Sequence, residues 1–225
     1  MHEGHRQRMK QKFISSGIDG YESHEVLELL LYYSIPRKDT NEIAHRLLDH
    51  FGSFSAVLDA PIDTLSEIEG VGENTAVLLK LVPSLCRLYL DDKYRNIKKI
   101  ISLDNVGDFL LNKFIGRTNE TVYLLLMDNK FRELYCGIVN EGSVNSVDIY
   151  VRKIVELAMR YNASQAVLAH NHPSGIALPS NSDISTTISI KNALELVGVR
   201  LVDHIIVADD DYVSLAQSHL SEHLF

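Results

Sequence analysis

The hydrophobic pattern of this chain changes period once, and that change sets what it can fold into. Up to Leu90 the apolar residues recur at helical spacing; from Thr121 they fall in short β-branched runs that alternate with helical stretches. In the first part, Glu25 to Tyr33 is rich in good helix formers and stops before Ser34-Ile35-Pro36, because proline disfavours helical backbone in the residue ahead of it. Asp39-Thr40-Asn41 suits the start of a second helix running to Phe51, with Ile43, Ala44, Leu47 and Leu48 on one face and Gly52 as its stop. Shorter helices are expected at Phe54 to Leu58 and Thr64 to Ile68, then a longer one from Glu73 to Leu90.

In the second part, Thr121 to Met127 reads as a buried strand and Leu134 to Val139 as its hairpin partner, with Asp128-Asn129-Lys130 as the turn. Val151 to Tyr161 reads as a helix with Ile154, Val155, Leu157 and Ala158 inward. Ala166 to Ala169 is a strand, Ser180 or Asn181 caps a helix to Val197, and Val199 to Val207 is a last strand. That order, β, β, α, β, α, β, makes the second half an α/β domain. The charged run Asp91 to Lys99 separates the two textures. The expected organisation is therefore an all-α domain over 1–92, a linker over 93–102 and an α/β domain over 103–225.

Of the 225 residues, 45% are hydrophobic, enough for real cores, yet no run reaches the roughly 20 apolar residues of a membrane span. The opening Met1-His2-Glu3-Gly4-His5-Arg6 lacks a secretory apolar run. Cys86 and Cys136 lie far apart in apolar surroundings, which reads as two buried free thiols in a reducing, cytoplasmic setting. A net charge of −8 argues against a surface that coats nucleic acid. Positive charge does gather at Arg6, Arg8, Lys10 and Lys12, a pattern that fits a phosphate-contacting arm or simply the solvated face of an opening helix.

The chemistry is concentrated between His170 and Asp183. Two histidines one residue apart at a strand end point to the same face, so His170 and His172 can offer two imidazoles to one ion. The Pro- and Gly-rich stretch after them forces a returning loop, and Asp183 falls in the first turn of the next helix as a third ligand. Two nitrogens and a carboxylate, with one position left to water, is the make-up of a catalytic zinc site, one Zn2+ per chain. Such water needs a base, and Glu120, just ahead of the buried strand, is the candidate. Ser180, three residues before Asp183, is suited either to donate to a developing oxyanion or to cap the helix. A zinc deaminase is disfavoured, since it requires H-x-E and a later P-C-x-x-C.

Glu120, His170-x-His172-Pro173, Ser180 and Asp183 together resemble the complete JAMM signature of JAB/MPN metallopeptidases. The surrounding sequence is similar to the bacterial RadC family in particular. Gly142-Ser143-Val144-Asn145, His170-Asn171-His172-Pro173-Ser174-Gly175, Pro179-Ser180 and Leu201-Val202-Asp203-His204-Ile205-Ile206 match its landmarks. So do Gly4-His5-Arg6, Glu28-Leu29-Leu30-Leu31 and Ile35-Pro36-Arg37. The resemblance implies a mixed sheet with flanking helices of the JAB/MPN, cytidine-deaminase-like type. It also implies a zinc hydrolase of peptide or isopeptide bonds, with His170, His172 and Asp183 as ligands, Glu120 as base and Ser180 at the oxyanion. Where the family often shows Pro-Arg-Glu, this chain has Val151-Arg152-Lys153, a departure that touches no ligand. Asp203 and His204 read either as partners behind the ligands or as an ordinary buried strand pair.

Leu65 to Ala76 looks like a helix-hairpin-helix loop, in which Gly70 and Gly72 would let backbone amides approach a phosphate. A tight connection between packed helices uses glycine equally well, and Glu69 and Glu73 would repel phosphate. The alternative to the hydrolase is thus a DNA-associated repair or recombination accessory. It would bind through Gly70, Gly72, Arg6, Arg8, Lys10 and Lys12, with the metal domain as scaffold or nuclease.

Overall fold

The computed structural model describes residues 2–95, 104–142, 147–173, 175–218 and 224. Its contacts divide the chain into two compact units, Met1–Cys86 and Arg87–Phe225. In the first unit, α1 (His2–Ser16), α2 (Ser23–Leu31), α3 (Asn41–Phe51), α4 (Phe54–Asp59) and α5 (Ile62–Ser66) are followed by α6 (Glu73–Arg95). The division falls inside α6, which runs on through Asp91, Asp92 and Lys93, where a linker had been expected to begin. Charged residues without glycine or proline do not break a helix; here they mark an exposed helix end. The remainder of that expected linker, 96–102, lies outside the described residues.

Leu27, Leu31, Ile43, Ala44, Leu47, Val57, Leu65, Ala76 and Leu79 form one apolar core in the first unit. Gly52 stops α3 with φ +86, and Thr40 is its N-cap residue, as the pattern predicts. Glu28 is buried within this unit, yet its carboxylate accepts from Tyr32 Oη at 2.6 Å and Asn41 Nδ2 at 2.8 Å and meets His5 Nε2 at 3.0 Å. A buried carboxylate held this way is tolerable because its hydrogen-bonding capacity is met. Gly70 has φ +94, and a Cβ there would sit 2.8 Å from Ile43 Cδ1. The left-handed backbone, with Ile43 packed against it, therefore accounts for glycine at that position.

The second unit consists of α7 (Val106–Leu111) with a 3-10 turn (Asn112–Phe114), β1 (Thr121–Met127), β2 (Glu133–Glu141), α8 (Val147–Arg160), β3 (Gln165–Asn171), α9 (Asn181–Glu195), β4 (Arg200–Ala208) and β5 (Asp211–Ser214). The sheet order is β2-β1-β3-β4-β5; β3 and β4 run parallel and the other pairs antiparallel, so the sheet is mixed. Leu124, Leu126, Ala166, Leu168 and Leu201 face α8 and α9 through Ile154, Ala158, Ile190 and Leu194. The opposite face, Tyr123, Leu125, Met127, Val167, Ala169, Val202 and Ile205, is covered by Val106, Leu110 and Phe114. Burial on both faces explains why β1 reads as an unbroken apolar run. Each fully buried leucine there contributes roughly 1.5–3 kcal/mol. The helix α7 and strand β5 were not anticipated: six and four residues are too few to show a period.

One expectation from composition fails. Cys86 is exposed, on the solvent side of α6, and Cys136 is only partly buried as a residue; both are free. A helix of mixed faces places an apolar-looking neighbourhood in sequence on different sides in space. No helix among the described residues is long and apolar enough to cross a membrane.

Candidate metal centre

His170 lies at the end of β3 and His172 just past it, its amide still donating to Val207 O at 2.8 Å, so the strand alternation turns both rings the same way. His170 Nε2 and His172 Nε2 lie 2.9 Å apart. Ser180 caps the start of α9: its Oγ accepts from the Asp183 amide at 3.1 Å, while the Asp183 carboxylate accepts from the Ser180 amide at 2.8 Å. This reciprocal cap fixes Asp183 in the first helical turn. Asp183 Oδ1 then lies 3.3 Å from His170 Nε2 and Oδ2 lies 3.5 Å from His172 Nε2. Among the described residues, His170, His172 and Asp183 are the group whose ligand atoms could share one metal ion.

The protonation pattern bears on what these atoms can do. A carbonyl oxygen has no proton to give, so His172 Nδ1, 3.1 Å from Ile176 O, carries the ring proton and leaves a lone pair on Nε2. Burial pushes the Asp183 carboxyl upward, but its contacts with His170 and with the Ser180 hydroxyl and amide outweigh that and hold it well below its ordinary range. An ionised carboxylate and two imidazole nitrogens thus converge on one point, the donor set that a cation requires. A tetrahedral ion with nitrogen ligands at ~2.0–2.1 Å keeps its ligands roughly 3.4 Å apart. The imidazole–carboxylate separations of 3.3 and 3.5 Å suit such an ion, and the 2.9 Å between the imidazoles would open by about half an ångström around it, so the residues present fit zinc.

Glu120 is exposed, and no hydrogen bond or ion pair of its carboxylate occurs among the described residues. Val122 pairs with His170, so continuing the antiparallel register by two residues sets Glu120 opposite His172. What holds that segment is Asn171, which alternation turns to the face opposite the histidines. Its Oδ1 accepts from the Thr121 amide at 2.8 Å, and its Nδ2 donates to the carbonyls of Asn119 at 3.2 Å and Arg117 at 3.5 Å. Nothing in the sequence pattern singles out Asn171, since a lone asparagine between histidines carries no periodic signal. Asn171→Ala leaves the Thr121 amide buried without its acceptor. It is expected to cost about 1–3 kcal/mol of stability, measured by chemical denaturation.

Ser180 Oγ donates to Asp183 Oδ2 at 2.7 Å, so its hydroxyl proton is directed at the carboxylate rather than outward. His204, on β4, meets His170 Nδ1 at 2.8 Å. Burial, and then the neighbouring His170, pushes His204 well below the ordinary imidazole range, leaving it neutral. Asp203 turns away from the histidines: its carboxylate accepts from the Ser214 hydroxyl and from the amides of His204 and Ala216. Val151 packs against the core, and Lys153 Nζ donates to Val139 O at 2.7 Å. Those two replacements have structural work of their own. Of the further landmarks, residues 143–145 and Ser174 lie outside the described residues.

In the other unit, Arg6 donates to the carbonyls of Ile35, Pro36 and Lys38 and stacks over Tyr32. Lys12 is held by Glu25 and the Gly20 carbonyl. Lys10 lies 5.7 Å from the Tyr33 ring, and Arg8 is exposed. Gly70 and Gly72 line a concavity of about 530 Å³ with Arg37, Lys38 and the opening of α6.

Residues 100–220 match the family model described as the RadC-like JAB domain. The UPF0758 protein FN0909 of Fusobacterium nucleatum is 36% identical over 225 residues, spanning 97% of this chain and 97% of its own. The UPF0758 protein SPO0054 of Ruegeria pomeroyi is 36% identical over 203 residues, spanning 90% of this chain and 91% of its own.

Proposed function

Because this chain belongs to the RadC family, we propose that it is a zinc-dependent hydrolase of the JAMM type, cleaving amide bonds in peptides or isopeptides. The observation that carries this reading is the convergence of His170 Nε2, His172 Nε2 and the Asp183 carboxylate within 3.5 Å of one another. Three protein ligands, rather than four, leave a coordination position for substrate chemistry. A zinc ion held there supplies an acidified water and an electrophile for a carbonyl oxygen.

The chain's own residues do the rest. Glu120, just ahead of β1 and with a carboxylate that makes no bond among the described residues, takes the proton of the attacking water and delivers it to the leaving amine. Asn171 ties the backbone that carries Glu120 to the end of β3. Ser180 first holds Asp183 in place; its oxyanion role requires the hydroxyl to turn from Oδ2 toward the substrate. The DNA-associated alternative leans on cations of the N-terminal unit, of which Arg6 and Lys12 are engaged in internal contacts. The hydrolase reading is therefore the one retained.

Elemental analysis and zinc titration of the metal-free chain test it. One zinc bound per chain is expected, together with new peptide termini when the active form is added to a proteome. A chain that takes up no zinc on reconstitution overturns the reading.

A further inference from the structure

Behind His170 runs a hydrogen-bond chain that the hydrolysis steps above leave without a role. His204 on β4 and Thr187 on α9 are both buried, 2% and 0% exposed. His170 Nδ1 meets His204 Nε2 at 2.8 Å, and His204 Nδ1 meets Thr187 Oγ1 at 2.6 Å. Thr187 Oγ1 in turn lies 2.6 Å from the backbone carbonyl of Asp183, one helical turn earlier.

The direction of every bond follows from the far end. A carbonyl only accepts, so the single proton of the Thr187 hydroxyl goes to Asp183 O. The Thr187 oxygen then faces His204 as an acceptor, and Nδ1 of His204 must carry that ring's proton. A buried neutral imidazole has one N–H, so His204 Nε2 holds a lone pair. Only an N–H on His170 Nδ1 satisfies it. With Nδ1 carrying the proton that His204 requires, Nε2 is the nitrogen of His170 left to take a cation, between Asp183 Oδ1 at 3.3 Å and His172 Nε2 at 2.9 Å. The chain thus starts at the Asp183 backbone and ends against the Asp183 side chain.

We propose that Thr187 and His204 are positioning residues that lock His170 into the Nδ1–H tautomer, making its Nε2 a metal ligand rather than a hydrogen-bond donor. The tautomer stands on the hydrogen bonds alone; only its use as a ligand rests on the hydrolase reading. Partners of this kind fix the ring orientation and tautomer of a metal-binding histidine, and their loss typically weakens metal binding by about 10–100-fold.

The test is a long-range nitrogen–proton correlation spectrum of the metal-free chain with nitrogen-15 histidine. It is recorded at a pH of about 8, above the ordinary imidazole value of ~6.5. His170 and His204 are both expected to be protonated at Nδ1; a His170 with no proton at Nδ1 overturns the proposal. Thr187→Val keeps the side-chain shape and removes the acceptor. An Nδ1–H on His204 would then be a buried unpaired donor, so the ring is expected to switch tautomer and drive the His170 proton to Nε2. Zinc affinity, read by chelator competition, is expected to fall about 10–100-fold, and Thr187→Ser to restore both readouts. An unchanged His170 tautomer and affinity in the valine variant overturns the lock. If that variant does not fold, the wild-type spectrum decides by itself. A wild-type chain with the expected tautomers that binds no zinc upholds the lock and overturns the hydrolase reading. Zinc binding with no proton on His170 Nδ1 in the metal-free chain does the reverse.

Discussion

Glu120→Gln is expected to bind zinc as the unaltered chain does and to hydrolyse its amide substrate about 100-fold more slowly, or worse. The amide has nearly the shape of the carboxylate but accepts no proton, so it removes the general base and leaves the rest of the site intact. Because Glu120 is exposed and without an internal partner, the change removes no packing or ion pair, and the variant is expected to unfold with the unaltered chain. Zinc content, thermal unfolding and single-turnover cleavage of the same preparations separate these effects. Full turnover in the glutamine variant removes Glu120 from the mechanism.

His172→Ala is expected to fail one step earlier, at the metal. Apparent zinc-binding energies of ~10–16 kcal/mol for four-ligand structural sites give about 2.5–4 kcal/mol for each ligand, so losing one imidazole weakens binding by roughly two to three powers of ten. The rise in unfolding temperature that zinc confers on the intact chain is expected to vanish in the variant. Without metal, the variant is not expected to be less stable. The lone pair that faces His170 at 2.9 Å is gone, and the ring was partly exposed. Titration calorimetry and thermal unfolding with and without zinc check both statements. Undiminished affinity in His172→Ala would remove the two-imidazole site.

What could be read from residue order was the part governed by period and punctuation. The span Asn41–Phe51 with Gly52 behind it has both ends written as cap residues and a one-sided apolar face, and the helix lies there. Val151 to Tyr161 and Ala166 to Ala169 were likewise visible, each starting or ending within a few residues of α8 and β3. The pairing of His170 with His172 was legible because strand alternation alone puts residues two apart on one face. Thr187 was not, since its importance comes from β4 arriving beside α9, a contact set by sheet order rather than by neighbours in sequence. Asp203 and His204 are adjacent in sequence, yet only His204 reaches the histidine pair, because consecutive strand residues face opposite ways. The basic opening run was open to two readings for a similar reason. The Arg6 guanidinium meets the Ile35 to Lys38 backbone, a tertiary contact that charge counting does not see.

Three consecutive residues at the end of β3 and just past it secure both halves of the site: His170 and His172 on one side, Asn171 with the 117–121 segment on the other. The reach from the Glu120 segment to the ligands is consequently written into covalent spacing. A single-residue insertion between His170 and His172 would throw both out of phase at once, so this short stretch is where the protein tolerates length variation least.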